Sequence, residues 1–533
     1  MKNLFKILPG FVFAPFCCPF HSPSMKISML RLVFALVAIP FASVAAPNIL
    51  LITVDDMSAD SIGAFGAKLE GTSPHVDALA EEGLSFDLAH VQVGNCYPSR
   101  NVMWSGLYSH NNGAEGFYQV KPIDYPMLSD VMQEAGYWVG IRGKVSHSTP
   151  YQPYGWDEDL TIREDGSKED MKEPASYFRS TQRGIEKASA EGKPFCINLN
   201  ISDPHKPFWK PNDKNPSSRI YTAEEVPVPG FLPDDPAIRE ELALYYTSVR
   251  RADDCVGAIL KALEESGKAD ETFVMFLSDH GMPLPFAKTQ LYHHSTRTPL
   301  IVRWPGVTKA GTRDKKHMVS AVDFLPTLCD VAGVSKPDRL DGFSFAPLFR
   351  GEAQENRMAV FKVYNENAGG NRHPIRGVQT RNYLYLFNPW SDGKNQFRTA
   401  TQGTVSYKRL QALAKTDPAI ADRLDLFDHR VVEEFYDVAN DPDCLVNLID
   451  SPEHATALQQ HCQIMETFMR DSRDHALDVF LHRDDPAARK AYMDQVSAEA
   501  AERRALRRGG KGKAKDSPGK NQGGKKKAGK AAA

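Results

Sequence analysis

The sequence predicts a doubly wound α/β domain followed by a smaller α+β lobe. Three observations carry that expectation. Short apolar runs at 48–54, 137–142, 194–201 and 272–277 are each cut off by polar residues. Helix-patterned stretches lie between them, Ser73–Glu82 and Ala237–Ser266 being the clearest. Past residue 358 the pattern changes to short alternating strands. Strands and helices in alternation build a mostly parallel sheet with helices on both faces. Runs that are apolar at every position suit strands buried on both faces.

Taken in chain order, the first element is a targeting segment. Met25, Lys26, Met29 and Arg31 precede an apolar run from Leu32 to Ile39 and the small residues Ala42–Ala46. That is the layout of a secretory signal peptide, so residues 1–46 are expected to be removed, with translation starting at Met25 or Met29. The mature protein is expected to be exported, either periplasmic or extracellular. No later run approaches the roughly 20 apolar residues of a bilayer span.

Residues 47–358 form the expected core. The first apolar run ends in Asp55-Asp56 and the second in Gly143-Lys144. The third ends in Ser202-Asp203-Pro204-His205, and the fourth in Ser278-Asp279-His280-Gly281. In open α/β sheets, ligands bind outside the carboxyl ends of the strands. All four polar clusters fall there and are expected to converge. Within Ala237–Ser266, the residues Leu242, Tyr245, Val249, Val256, Ile259 and Leu263 recur at helical spacing.

Residues 359–483 read as the lobe, with antiparallel strands over 359–390 and a helix at Glu453–Arg473. Residues 484–533 begin as charged helix and pass, from Gly509, into Gly/Lys/Ala repeats that bury no core. From Arg503 onward there are 12 Lys/Arg and one Asp. The whole chain carries only −3, so an acidic body near −14 precedes a tail of +11. Such a tail is expected to stay irregular and to attract an anionic polymer by counterion release.

A composition of 42% hydrophobic and 25% charged residues excludes collagen-like, coiled-coil and wholly disordered chains. Past the targeting segment, Cys96, Cys196, Cys255, Cys329, Cys444 and Cys462 show no Cys-x-x-Cys spacing, which argues against a zinc site or a dense disulfide scaffold. An oxidising compartment permits one bridge, such as Cys444–Cys462.

Two strand-end clusters are rich in hard oxygen donors: Asp55 with Asp56, and Asp279 with His280. A single Asp-Asp pair serves equally well as a helix cap. Three carboxylates brought together repel one another unless a cation sits among them, so the two clusters point to a divalent metal.

The segment Cys96-Tyr-Pro-Ser-Arg100, continuing to Ser105-Gly106, resembles the Cys-x-Pro-Ser-Arg signature of the type I, formylglycine-dependent sulfatases. Further matches follow in family order over roughly residues 47–475. They are Asp55-Asp56, Gly143-Lys144 with His147, Asp203-Pro-His205, Ser278-Asp279-His280-Gly281, Lys288, Arg297-Thr-Pro-Leu, and Phe435-Tyr-Asp with Asp441-Pro. Within the family, the segment from Asp279 to Lys288 and the lobe segment Pro374–Gln379 are similar to the N-sulfoglucosamine sulfohydrolase branch, which carries Arg where this chain has Lys288. The Lys144-to-His147 interval is that of the iduronate-2-sulfatase branch. Met103-Trp-Ser-Gly106 departs from the usual Leu-x-Thr-Gly.

The resemblance implies an alkaline phosphatase-like core and a hydrolase of sulfate esters or sulfamates of sulfated saccharides. It implies that Cys96 is converted to formylglycine by the formylglycine-generating enzyme. It also implies one Ca2+ held by Asp55, Asp56, residue 96, Asp279 and His280. By the same resemblance Arg100 orients residue 96, Lys144 and Lys288 neutralise sulfate oxygens, His205 protonates the leaving group and His147 is the base. In the loop before the matching lobe segment, Glu366, Arg372 and His373 are the expected substrate contacts. Two other readings stand beside this one. The first is a phosphonate monoester or phosphodiester hydrolase of the same superfamily. The second is a non-catalytic protein that binds sulfated glycans.

Overall fold

β1 (Asn48–Asp55) runs through the middle of an eight-stranded sheet and is buried along its whole length. It pairs in parallel with β3 (Phe195–Pro204) on one side and β4 (Thr272–Ser278) on the other; β2 (Trp138–Arg142) lies beyond β3. Next to β4 runs β5 (Leu300–Arg303), which is antiparallel to it. The edges are short strands, Glu158–Asp159 on one side and Leu84–Phe86 with Thr312–Asp314 on the other. This computed structural model describes residues 46–513, with side chains to residue 505. The signal-peptide expectation and the chain beyond residue 513 lie outside the described residues.

The apolar runs are buried on both faces, as expected. In β1, Ile49 and Leu51 pack in one hydrophobic cluster, whereas Leu50, Ile52 and Val54 pack in the other. β4 divides the same way, with Phe273, Met275 and Leu277 opposite Val274 and Phe276. One face is covered by α1 (Pro74–Glu82), α3 (Pro174–Ala190) and α4 (Pro236–Glu265). α4 starts at Pro236 behind Asp235, whose carboxylate accepts from the Ala237 amide and so satisfies one orphan donor of the first turn. Its Ile238, Leu242, Tyr245, Val249, Val256, Ile259 and Leu263 form the buried stripe. The other face carries α2 (Cys96–Ser105), every residue of which is buried. α2 stops at Gly106, whose φ of 66° belongs to the left-handed region that glycine enters without strain.

The second sheet is antiparallel and four-stranded: β6 (Ala359–Glu366), β7 (Arg372–Thr380), β8 (Tyr383–Phe387) and β9 (Glu433–Asp437). α5 (Ala455–Asp471) packs on it through Met465, Phe468 and Met469. The two sheets share a hydrophobic core. Ile375, Leu384 and Leu386 belong to the same cluster as Leu50 and Ile52, which fixes the lobe against the larger domain.

Two expectations change. The six described cysteines are free thiols, so Cys444 and Cys462 are not bridged. The basic segment is not irregular at its start, because α6 (Pro486–Lys513) carries on from residue 503 to Lys513. Val496 and Ala500 on α6 are buried, so apolar contact holds this helix to the body despite its high charge.

Candidate active site

The four strand-end clusters do converge. One ligand atom each from Asp55, Cys96, Asp279 and His280 lie within 4.8 Å of one another, and all four residues are buried. The register of the sheet explains the meeting. Val54 of β1 faces Ser278 of β4, so the residues that follow each of them emerge side by side. Asp56 has a φ of 68°, uncommon for a residue with a side chain, and its amide donates to Asp279 Oδ1 at 3.0 Å. Strain of this kind persists where surrounding structure over-determines it, as at functional sites.

Cys96 is the first residue of α2, and its Sγ lies 3.3 Å from His280 Nε2. Burial pushes the Cys96 thiol well up; Lys288 pulls against that, while Asp55 and Asp279 push it further up. A thiol held protonated is a poor nucleophile.

His280 Nδ1–H donates to the Gly281 carbonyl at 3.0 Å, which turns Nε2 toward the cluster. That atom faces Asp56 Oδ1 at 3.1 Å. Fixing the tautomer through the second ring nitrogen is how a metal-ligating imidazole is oriented. Both oxygens of Asp55 are buried and accept no hydrogen bond, although Lys144 Nζ lies 2.5 Å away and Arg100 Nη2 3.6 Å away. Burial raises the Asp279 carboxyl, and the neighbouring Asp55 charge raises it further. Buried oxygens with spare lone pairs, crowded carboxylates and an inward-facing imidazole suit a hard divalent cation such as Ca2+.

Arg100 is wholly buried. Its Nε donates to Asp279 Oδ2 at 3.1 Å, and its Nη1 donates to Asn200 Oδ1. Lys288 Nζ rests on Asp56. Burial works against the ammonium, but the Asp56 carboxylate more than offsets this and holds Lys288 above its ordinary value. Lys144 sits at a φ of 52°, with its side chain 18% exposed.

Two histidines frame the entrance. His205 Nδ1–H donates to the Lys206 carbonyl at 2.6 Å, and Nε2 lies 4.0 Å from Asp56 Oδ2 with the side chain 38% exposed. His147 packs against the rings of Tyr97 and Phe117. Burial lowers it to about 3, with Lys144 and Arg100 adding to the shift, and its buried Nδ1 has no hydrogen-bond partner.

The three expected substrate contacts sit at the hairpin of β6 and β7, where Glu366 is paired with Arg372. All three are buried rather than solvated. Arg372 Nη1 reaches Glu115 Oε2 at 2.5 Å, and His373 packs on Trp390 and Phe397. Their contacts run to the rim, two residues from Phe117, and not to the Asp55–His280 cluster. Sequence reasoning passed over Asn200, which braces Arg100 and donates to the Arg142 and Gly143 carbonyls. A buried amide within the apolar run of β3 is the signal that marked it.

A family model described as Sulfatase matches residues 47–334, and one described as N-sulphoglucosamine sulphohydrolase, C-terminal, matches residues 279–394. Human N-sulphoglucosamine sulphohydrolase is 29% identical over 471 residues, covering 77% of this chain and 88% of that protein. An ulvan-active sulfatase of Formosa agariphila is 25% identical over 464 residues, covering 77% of this chain and 73% of its own. Among solved structures, a protein in complex with its substrate D-glucosamine-2-N,6-O-disulfate superposes with a TM-score of 0.60 at 20% identity, over 81% of this chain and 99% of that one. The phosphonate monoester hydrolase of Agrobacterium radiobacter superposes with a TM-score of 0.57 at 18% identity, over 80% of this chain and 96% of that one. These structural likenesses speak to the α/β fold alone.

Proposed function

The chain belongs to the sulfatase family and is a sulfuric ester hydrolase, and from that premise we propose that it removes sulfate from sulfated saccharides, using residue 96 as formylglycine and one bound Ca2+. The observation that carries this reading is the buried meeting of Asp55, Cys96, Asp279 and His280 at the carboxyl end of the central strands. The 29% identity to an N-sulphoglucosamine sulphohydrolase over most of the chain supports a sulfamate or sulfate on glucosamine as the substrate.

Asp55, Asp56, Asp279 and His280 would hold the cation, which when bound draws negative charge from the sulfate oxygens. As the aldehyde hydrate, residue 96 supplies a geminal diol, one hydroxyl taking the sulfuryl group and the other expelling it. The remaining work belongs to the chain's own side chains. Arg100 is pinned by Asp279 and Asn200 and so fixes the orientation of residue 96. Lys144 and Lys288 bring ammonium groups to the sulfate oxygens, where charge builds in the transition state. His205 is oriented by its Nδ1–H bond to the Lys206 carbonyl, and in the doubly protonated form its Nε2–H is the proton for the leaving oxygen or nitrogen. His147 stays neutral at ordinary pH and so is free to act as the base for the proton of residue 96 as sulfate departs.

The same reading makes the protein exported, matured by a formylglycine-generating enzyme, and drawn to anionic polymers by its last residues. No described helix is long and apolar enough to cross a membrane. The test is a panel of defined substrates for the protein matured with that enzyme: an aryl sulfate, N-sulfated and O-sulfated glucosamines, and an aryl phosphonate. Turnover of the sulfated glucosamines supports the reading. A clear preference for the phosphonate would replace it with the phosphonate monoester hydrolase alternative, whose fold is the same.

A further inference from the structure

A cavity of about 450 Å³ has walls that include Arg372, His373, Trp390, Arg398 and Arg504. Three arginines lining one cavity is unusual in a body whose net charge is strongly negative. Among the described residues neither Arg398 nor Arg504 has a carboxylate within ion-pair distance. Asp494 is the cavity's carboxylate, and Lys490 lies against it at 2.5 Å. Deeper in the wall, Arg372 Nε and His373 Nδ1 are buried and make no hydrogen bond. Buried polar atoms are usually satisfied, so an unpartnered guanidinium N–H and an unpartnered imidazole nitrogen, on two residues less than a tenth exposed, point to a ligand.

The backbone is shaped to admit Arg504. Its Nη1 donates to the Gly370 carbonyl. Gly370 has a φ of 76°, and a Cβ there would come within 3.1 Å of the Arg504 side chain. Arg504 belongs to α6, so the C-terminal helix supplies a wall of this cavity and does more than add charge.

Both walls of the cavity are tied by contacts to residues next to the active site. On one side Arg372 binds Glu115, and Phe117, two residues on, packs against His147 at 6.0 Å. On the other, Ala400, two residues from Arg398, donates its amide to Thr289 Oγ1 at 3.4 Å, and Thr289 bonds Asn95 Oδ1 at 3.3 Å. Thr289 follows Lys288 and Asn95 precedes Cys96.

We propose that this cavity is an anion subsite, in which Arg398 and Arg504, backed by Arg372 and His373, receive a second sulfate or carboxylate of the saccharide being desulfated. This rests on the sulfated-saccharide reading above. The guanidinium fork matches either planar carboxylate or sulfate oxygens, which accounts for the choice of Arg over Lys.

The test is calorimetric titration of the full-length protein with a heparin-derived tetrasaccharide, with its desulfated form and with its carboxyl-reduced form. Arg398→Ala and Arg504→Ala should each raise Kd for the intact sugar roughly tenfold, and Arg504→Lys should recover only part of the loss. The variant effect should vanish with whichever modified sugar lacks the recognised group, which distinguishes sulfate from carboxylate. Aryl sulfate turnover, measured in parallel, should not change. Absence of binding by the wild type, or an unchanged Kd in the folded double variant, overturns the subsite. Loss of the aryl sulfatase reading with the Kd effects intact would overturn the catalytic proposal alone. Thermal melting of each variant separates a local effect from a folding defect.

Discussion

Lys288 Nζ donates to both oxygens of the Asp56 carboxylate, at 2.6 Å and 2.8 Å. The Lys288 side chain is 9% exposed and that of Asp56 is fully buried, so each charge depends on the other for its place in the interior. The pair also joins a metal-ligand candidate to a sulfate-binding candidate, and loss of one should be felt in both roles.

Lys288→Ala should therefore lower kcat/KM on an aryl sulfate by about 10²–10³, the cost of removing one preorganised donor to a transition-state oxyanion. It should also lower Tm, because the buried Asp56 charge loses its partner. Lys288→Arg keeps the charge and should retain much more activity. Steady-state kinetics with parallel melting curves check both.

Asp55 is paired with Lys144 and Arg100 but accepts no hydrogen bond on either oxygen, so its lone pairs are open to a cation. Added Ca2+ should raise the Tm of the chelator-treated wild type, as any ligand selective for the native state does. In Asp55→Asn the rise should be largely lost, and chelation should remove wild-type turnover until Ca2+ is returned. Equal Tm shifts in the two proteins would leave Asp55 outside the metal site.

His294 ties the turn after β1 to the segment after β9, with Nδ1 2.8 Å from Asp60 Oδ2 and Nε2 3.0 Å from Asp443 Oδ1. Burial works against its charge, but Asp443 and Asp60 more than compensate and hold it at about 9. The folded protein keeps this proton where the unfolded chain, with an ordinary value near 6.5, releases it. The stabilisation is thus fully present below about 6.5 and is lost as pH rises through about 9, on the order of 3 kcal/mol in all. His294→Gln should lower Tm at neutral pH and flatten the fall in Tm between those limits.

α6 is held by apolar contacts through Val496 and Ala500. Val496→Asp places a charge in that seam and should release the helix, seen as faster proteolysis at residues 486–505 with aryl sulfate turnover preserved. Undiminished protease resistance would mean that other contacts hold it.

Much of the fold was legible because the central strands are apolar on both faces, a pattern that only a covered parallel sheet satisfies. The convergence of Asp55 and Asp279 followed from strand-end logic alone. Long-range side-chain pairings had no such signal. Nothing in the sequence pairs Arg372 with Glu115, 257 positions apart, or turns His373 toward Trp390. The charged helix from residue 484 was legible, but its run to Lys513 and its anchoring by Val496 and Ala500 were not, because Gly and Lys dominate the sequence from Gly509. Asn200 was overlooked because an apolar run draws attention to its hydrophobes and not to the amide within it.

The central claim is that residue 96, as formylglycine, carries the hydrolysis. The most direct measurement is sulfate release from an aryl sulfate by wild-type and Cys96→Ala proteins, both produced with a formylglycine-generating enzyme and supplied with Ca2+, with the mass of the residue-96 peptide recorded for each. The account predicts a wild-type peptide lighter by the difference between thiol and aldehyde, together with steady sulfate release. It predicts a folded Cys96→Ala protein with essentially none. Substantial release by Cys96→Ala, or full wild-type activity with Cys96 still a thiol, would contradict it.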